Sequence, residues 1–179
     1  GRIGFYLRCP IGVVTAITPF NFPLNLVAHK VGPALAVGNA MVLKPASTTP
    51  LTAVRLAEIL EEAGLPPGVF NLVTGYGEEV GEVLARHPAV DMVSFTGDTS
   101  AGREIMRLAS GNLKKVSLEL GGKSPAVIAP DYPLEHAVAR ILTGKLLNAG
   151  QTCIAPDYVL VPRAQLEAFA AAARVRAQK

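Results

Sequence analysis

The sequence is poor in cysteine and histidine, the residues from which disulfide frameworks and zinc sites are built. Its only cysteines, Cys9 and Cys153, lie far apart and match no zinc-binding spacing. A disulfide framework is therefore not expected, and a reducing, cytoplasmic setting is. The three histidines have no partners at ligand spacing, so no metal site is expected and all three are interpreted as structural or surface residues.

Long apolar runs are also lacking, because proline, lysine and glycine interrupt every apolar segment. No membrane span is predicted, and the first residues do not read as a signal peptide. The net charge of only +3 comes from basic residues that are spread along the chain, so nucleic acid is a poor candidate partner. Half of the residues are apolar, which is enough to bury a core.

Short β-branched runs alternate with longer helical patterns. Strands are predicted over residues 13–17, 40–44, 69–73, 92–96, 116–120, 126–129 and 158–161, and helices over 24–37, 50–63, 78–86, 99–109, 134–148 and 163–173. This alternation predicts an α/β fold with an open, mostly parallel sheet covered by helices on both faces.

Three parts of the chain are expected. Residues 1–10, with a strand over 4–8, precede a nucleotide-binding domain at 11–121, and a second α/β domain starts at 122 and continues to 179. A helical run without a stop signal fills 170–179, so both ends look cut and the chain is expected to be a piece of a longer protein.

Glycines and polar side chains follow the carboxyl ends of the predicted strands, where ligands bind in sheets of this kind. They are Asn21, Lys44, Ser47, Gly75, Gly77, Gly97 and Glu119.

An amide, a carboxylate and a thiol complete a chemically useful set. Cys153 follows a polar break after a helix, where backbone N–H groups favour a thiolate, although a free cysteine is often just a small buried residue. Glu119 ends an apolar strand, where a carboxylate is costly unless it is hydrogen-bonded or acts as a base; the alternative is an ion pair with Lys115 or Lys123. Asn21 is either an oxyanion donor or a turn residue.

The motifs Phe20-Asn21-Phe22-Pro23, Glu119-Leu120-Gly121-Gly122-Lys123 and Gly150-Gln151-Thr152-Cys153, in this order, resemble the aldehyde dehydrogenase superfamily over essentially the whole chain. The resemblance implies NAD(P)-dependent oxidation of a small aldehyde to a carboxylic acid, without a metal. It also implies that Cys153 attacks the aldehyde, that Asn21 and the Cys153 N–H hold the oxyanion, and that Glu119 activates the water that hydrolyses the thioester. Lys30 matches a lysine with a supporting role, although a helix-face lysine is an equal alternative.

The resemblance also implies a cofactor site. It places Lys44 at the adenosine ribose, the turn at 75–81 near the adenine, and the pyrophosphate at the turn 95–99. The glycines at 75–81, taken alone, resemble a dinucleotide-binding fingerprint with one extra residue, which would instead place the pyrophosphate at that turn. The cofactor-binding residues predicted in this way are Ile17, Thr18, Pro19, Phe20, Asn21, Lys44, Ala46, Ser47, Gly77, Gly81, Phe95, Thr96, Gly97, Asp98, Ala101, Glu119, Leu120, Gly121 and Cys153.

Two positions depart from the common pattern of the superfamily. Members that depend strictly on NAD often carry a glutamate where this chain has Ser47, and that glutamate repels the 2′-phosphate of NADP. Because Ser47 has no charge, NADP is expected to be accepted, either alongside NAD or in preference to it. Many members carry serine where this chain has Asp98, whose charge would repel a pyrophosphate. Either the pyrophosphate lies slightly away from Asp98 or it binds more weakly than usual.

Two alternative functions stay open. A CoA-acylating aldehyde dehydrogenase would resolve the thioester with a thiol, although Glu119 argues against that branch. The second alternative is a non-catalytic dinucleotide-binding fragment or interaction module. It is suggested because aldehyde dehydrogenases are much longer than this chain, and the isolated chain is expected to have weak catalytic activity or none. The resemblance further implies that residues 1–10 are the remnant of a bridging, oligomerisation strand, that 11–121 are the NAD(P)-binding domain, and that 122–179 are the first part of an incomplete catalytic domain. It also implies that the parent protein is a homo-oligomer, a dimer or a tetramer. Uncharged Thr152 and Ile154 beside the thiol make a phosphorylated aldehyde less expected.

Overall fold

The computed structural model describes residues 1–178, and the chain divides into two compact units, Gly1–Leu120 and Gly121–Lys179. We call them unit 1 and unit 2 and describe each by itself. The assignment of a cofactor domain and a catalytic domain to these stretches stays a prediction.

Unit 1 contains one five-stranded sheet and four α-helices. Its strands are β1 (Val13–Ile17), β2 (Ala40–Lys44), β3 (Phe70–Leu72), β4 (Met92–Thr96) and β5 (Lys115–Glu119). Its helices are α1 (Asn25–Ala36), α2 (Leu51–Glu62), α3 (Glu82–Arg86) and α4 (Thr99–Ala109), and a π-helical turn, Gly77–Gly81, leads directly into α3. Helices connect the strands, as parallel pairing requires.

All neighbouring strands are parallel, in the order β3-β2-β1-β4-β5. The chain therefore builds the sheet outward from β1 in one direction and then returns to add β4 on the other side of β1. The gap between the carboxyl ends of β1 and β4 is the switch point at which sheets of this kind bind ligands. The predicted fold class, an open parallel α/β sheet, is confirmed.

Each face of the sheet carries its own apolar core. One core joins alternate residues of β1 and β2, such as Ala16 and Leu43, to α1 and α2. The other joins Ile17, Val93 and Phe95 to α3 and α4. Because side chains alternate along a strand, adjacent residues such as Ala16 and Ile17 face opposite helix layers. Helices thus cover both faces, as predicted.

Unit 2 has a two-stranded parallel sheet and two helices. Strand β6 (Ser124–Val127) pairs with β7 (Pro156–Leu160), α5 (Leu134–Leu146) lies between them in sequence, and α6 (Leu166–Ala177) follows a short 3-10 turn. Helix α5 contacts both α6 and β7. The end of the predicted helical run at Lys179 lies outside the described residues.

Three sequence predictions of secondary structure are corrected. Residues 4–8 form no strand, because a strand needs a neighbour to accept its hydrogen bonds and nothing in residues 1–178 pairs with this segment. The helix predicted over 78–86 begins as the π-helical turn. The helix predicted over 134–148 ends at Leu146, because Asn148 and Ala149 adopt left-handed conformations.

Candidate active site

The carboxyl ends of β1 and β2 are tied together by a backbone hydrogen bond, from the Thr18 N–H to the Lys44 carbonyl at 3.2 Å. Thr18 is buried, and its hydroxyl oxygen finds no hydrogen-bond partner within residues 1–178. A buried hydroxyl of this kind is available to a bound molecule or a water. Pro19 and Asn21 are half-buried and Phe20 is exposed, so this stretch leads from the core to the surface.

Lys44 is a buried lysine at the end of β2. Its Nζ donates to the carbonyl oxygens of Pro45 at 2.8 Å and Gly75 at 3.0 Å. Burial lowers the pKa of Lys44 from its ordinary value of 10.5, because the charged form is poorly solvated there. The loop that follows carries Ala46, half-buried, and Ser47, which is exposed. Lys44 therefore links the β2 end to the glycine turn after β3.

A groove of about 490 Å³ lies between the π-helical turn with α3 on one side and α4 on the other. Its apolar lining includes Ile17 at the end of β1, Phe95 near the end of β4, and Ile105 on α4. It thus opens at the switch point between β1 and β4. Such a groove, with an apolar lining and a few polar groups, suits a flat heteroaromatic group such as adenine.

The groove gathers some of the predicted cofactor residues and adds others. Those predicted are Ile17, Gly77, Gly81, Phe95 and Ala101, and those that sequence reasoning missed are Tyr76, Glu78, Glu82, Ser100, Glu104 and Ile105. Ile105 could have been predicted from Ala101, because residues four apart on a helix such as α4 lie on the same face and would line the groove together. The role of these residues in binding a cofactor stays a prediction.

Asp98 caps α4 with its own carboxylate. The carboxylate accepts a hydrogen bond of 2.7 Å from the Ser100 N–H and another from the Ser100 hydroxyl. These bonds lower the pKa of the Asp98 carboxyl group, and the bond from the Ser100 hydroxyl lowers it most. The N-terminus of α4, where a phosphate would bind, is therefore already engaged by a negative group. Just before the cap, the Gly97 N–H donates to the Glu119 carbonyl at 3.0 Å, which joins the ends of β4 and β5.

Glu119 lies on the opposite face of the sheet from the groove. Its register partner is Thr96, so its side chain shares the α1 face with Ser94. Glu119 is exposed in unit 1, so within this unit its carboxylate does not carry the desolvation cost expected at the end of an apolar strand. No ion pair with Lys115 on the same strand occurs among the residues described.

Lys30, on α1, lies on this same face. Its Nζ donates to the Ser94 hydroxyl at 3.1 Å. Burial lowers the pKa of Lys30, and the negative charge of Glu119 opposes that shift to a smaller extent. The Lys30 side chain thus bonds to β4, on the face of the sheet that Glu119 shares.

Cys153 is exposed on a turn in unit 2, just before β7. The turn is closed by a hydrogen bond from the Ala155 N–H to the Thr152 carbonyl at 3.1 Å. Before it the backbone is left-handed at three successive residues, ending at Gly150 with φ +80°. This conformation, which favours glycine, turns the chain sharply out of α5 and leaves the thiol accessible. Cys9 is also exposed.

Within residues 1–178, none of the helices combines the length and apolar character that a membrane-spanning segment requires. In that part of the chain, no three histidine, cysteine or acidic side chains come together as a set that could hold a metal ion.

A groove at the switch point of a five-stranded parallel sheet is the arrangement of nucleotide-binding, doubly wound α/β proteins. Comparison with known proteins defines the family further. The family model described as "Aldehyde dehydrogenase family" matches residues 1–179, and the chain belongs to that family.

Individual relatives agree with this assignment. The chain is 51% identical over 154 residues to hydroxyisobutyraldehyde dehydrogenase of Mycolicibacterium austroafricanum, covering 86% of this chain and 31% of that protein. Among solved structures it resembles a mutant of aldehyde dehydrogenase C from Pseudomonas syringae, complexed with NAD+ and octanal, with a TM-score of 0.94 and 45% identity over 96% of this chain and 36% of that one. An NADP-dependent enzyme of E. coli gives a TM-score of 0.93 and 47% identity, with the same coverage of 96% and 36%. The chain thus spans about a third of the length of the relatives it matches.

Proposed function

We propose that the protein containing this chain oxidises an aldehyde to a carboxylic acid with a nicotinamide dinucleotide. The observation that carries this proposal is the exposed thiol of Cys153 on a sharply turned loop, in a chain whose other unit has a groove at the switch point of a parallel sheet. The family relationship supports the same reaction.

The three predicted catalytic groups have complementary roles in this proposal. The Cys153 thiolate attacks the aldehyde carbon and forms a thiohemiacetal. The Asn21 amide and the Cys153 backbone N–H donate hydrogen bonds to the oxyanion. A bound nicotinamide would accept a hydride from the former aldehyde carbon, which leaves that carbon joined to the Cys153 sulfur as a thioester. Glu119 then removes a proton from a water, whose oxygen attacks the Cys153 thioester and releases the acid and the thiolate.

The residues of unit 1 fit the adenosine half of a dinucleotide. The apolar lining of the groove suits the adenine. Lys44, whose Nζ donates to the Gly75 carbonyl, lies at the end of β2, where the ribose is expected. Ser47 carries no charge and leaves room for a phosphate on the ribose, so NADP is proposed to be accepted together with NAD. The two similar structures, one complexed with NAD+ and one described as NADP-dependent, are compatible with either cofactor.

The substrate is proposed to be a small uncharged aldehyde. Thr152 and Ile154, on either side of the thiol, carry no charge that would bind a phosphate. The octanal complex of the similar Pseudomonas syringae enzyme supports an aliphatic chain.

The deciding experiment follows nicotinamide reduction by its near-ultraviolet absorbance. The complete protein and the 179-residue chain are each mixed with a small aliphatic aldehyde and with NAD or NADP. We expect reduction by the complete protein with both cofactors and little or none by the isolated chain. Cys153→Ala is expected to abolish the reduction, and Cys9→Ala, which removes the other exposed thiol, to leave it unchanged.

Reduction that survives in the Cys153→Ala variant would contradict the proposed mechanism. Reduction that requires added CoA would instead establish the acylating alternative. A strong preference for NAD in kcat/KM would contradict the role given to Ser47.

A further inference from the structure

The cofactor groove of unit 1 has an acidic rim. Three glutamates, Glu78, Glu82 and Glu104, are among its lining residues. No lysine or arginine lines the groove in the part of the chain that the structure describes. A groove that bound NADP would be expected to offer a lysine or an arginine to the additional phosphate on its adenosine ribose.

Two of these carboxylates are neutralised by arginines outside the groove. Glu82 pairs with Arg86 at 2.8 Å, one turn further along α3. Glu104 pairs with Arg107 in the same way on α4. Their negative charges are therefore largely balanced at short range.

Glu78 differs from the other two. It is exposed, lies in the π-helical turn, and makes no ion pair within residues 1–178. It is therefore the one groove glutamate of the described residues whose charge no arginine or lysine balances at contact distance.

The turn that carries Glu78 is also the turn that Lys44 contacts. Lys44 Nζ lies 3.0 Å from the Gly75 carbonyl oxygen. The Lys44 side-chain carbons lie 3.7 Å from the position that a Cβ on Gly81 would take. The Lys44 side chain thus follows the turn from Gly75 to Gly81, and a ribose beside Lys44 would lie against that turn, next to Glu78.

We propose that Glu78 is a specificity-determining residue that disfavours a phosphate on the adenosine ribose of the dinucleotide. The inference rests on the proposed function and concerns which of the two dinucleotides the groove prefers. Ser47 leaves space for the phosphate, and Glu78 opposes its charge. NADP is therefore accepted, but it binds less tightly than NAD.

The test compares the binding of two nucleotide fragments by calorimetry, so that no turnover is needed. Adenosine 5′-monophosphate represents NAD, and adenosine 2′,5′-bisphosphate represents NADP. For the complete protein carrying Glu78→Gln we expect the bisphosphate to bind about fivefold more tightly at low ionic strength, with the gain shrinking as salt is added. The affinity for the monophosphate should change little.

A matched control is available in the same turn. Glu79 is also exposed, carries the same charge and does not line the groove. Glu79→Gln is therefore expected to leave the ratio of the two affinities close to that of the unsubstituted protein. An equal gain in both variants would show a general charge effect and overturn the inference.

Two other results separate the inference from the function on which it rests. If both nucleotides bind but Glu78→Gln leaves their affinity ratio unchanged, the inference is wrong and the dinucleotide site stands. If neither nucleotide binds the unsubstituted protein, the proposed dinucleotide site fails and the role of Glu78 fails with it.

Discussion

The two units differ in how much of their apolar surface they bury. Unit 1 has a core on each face of its sheet, and residues such as Met41 and Leu43 are completely buried. Unit 2 buries few apolar side chains, whereas Val127 and Leu160, on its two strands, are 73% and 53% exposed. The shape of the groove between the π-helical turn and α4 is therefore fixed by packing within its own unit, while the thiol turn depends on backbone conformation and a few contacts.

The largest effect that we predict is on the core of unit 1. Leu43→Ala should lower the free energy of unfolding of the 179-residue chain by about 2–5 kcal/mol, because it leaves a cavity among fully buried neighbours. Leu160→Ala makes the same change on the exposed β7 strand and should cost about 0.5 kcal/mol or less. Urea unfolding of both variants measures the difference.

Similar losses in the two leucine variants would contradict the contrast between the units. They would mean that unit 2 packs around Leu160 as tightly as unit 1 packs around Leu43.

A second feature of unit 1 is that it buries charged side chains, such as that of Lys30. The pKa of Lys30 is lowered by burial from 10.5, so the folded state releases this proton at a lower pH than the unfolded state does. The free energy of unfolding therefore rises as the pH increases from the folded-state pKa of Lys30 towards 10.5. Lys30→Met should make this alkaline rise shallower, as measured by urea unfolding between neutral pH and pH about 10.5.

Arg103→Met is the control for that measurement. Arg103 is exposed on α4, so Arg103→Met tests the general effect of removing one surface cation and should leave the alkaline rise unchanged. An equally steep rise in the Lys30→Met variant would show that Lys30 is not the group responsible.

Much of unit 1 could be predicted from sequence because its signals are local. The bounds predicted for β1, β2, β4 and α4 are those observed, since apolar runs end at polar or glycine residues there and Asp98 caps α4. Gly38, directly after the helix predicted over 24–37, has φ +84° and donates its N–H to the Leu35 carbonyl, as a glycine that ends a helix does. The strand over 4–8 was wrong because strand formation depends on a partner that the local sequence does not specify.

The candidate site could be predicted only in part. Glycines and polar residues at strand ends mark one edge of the sheet, because parallel strands bring their carboxyl ends together. The glutamates of the groove could not be found this way. They line one groove only after α3 and α4 pack side by side, and Glu78 lies in a π-helical turn where an ordinary helix was predicted. The bonding of Lys30 to Ser94, which lie 64 residues apart, is likewise a result of tertiary packing.

The smallest effect that we predict concerns the ion pairs of unit 2. Asp157, at the start of β7, accepts a hydrogen bond from Lys145 at 2.8 Å and lies 3.8 Å from Lys123. The hydrogen bond from Lys145 has the largest effect in lowering the pKa of Asp157. The stabilising contribution of the Asp157 carboxylate is therefore present above its unfolded-state pKa and is lost as the pH falls through its folded-state pKa.

Asp157→Asn should lower the Tm by about 2 °C or less at neutral pH, because such pairs are exposed. In acid the substitution should lower the Tm by less. Asp131→Asn, which makes the same change at an exposed aspartate with no ion pair in the described residues, should leave the Tm unchanged at both pH values. A Tm difference for Asp157→Asn that persists in acid would mean that packing at β7, not charge, makes this residue important.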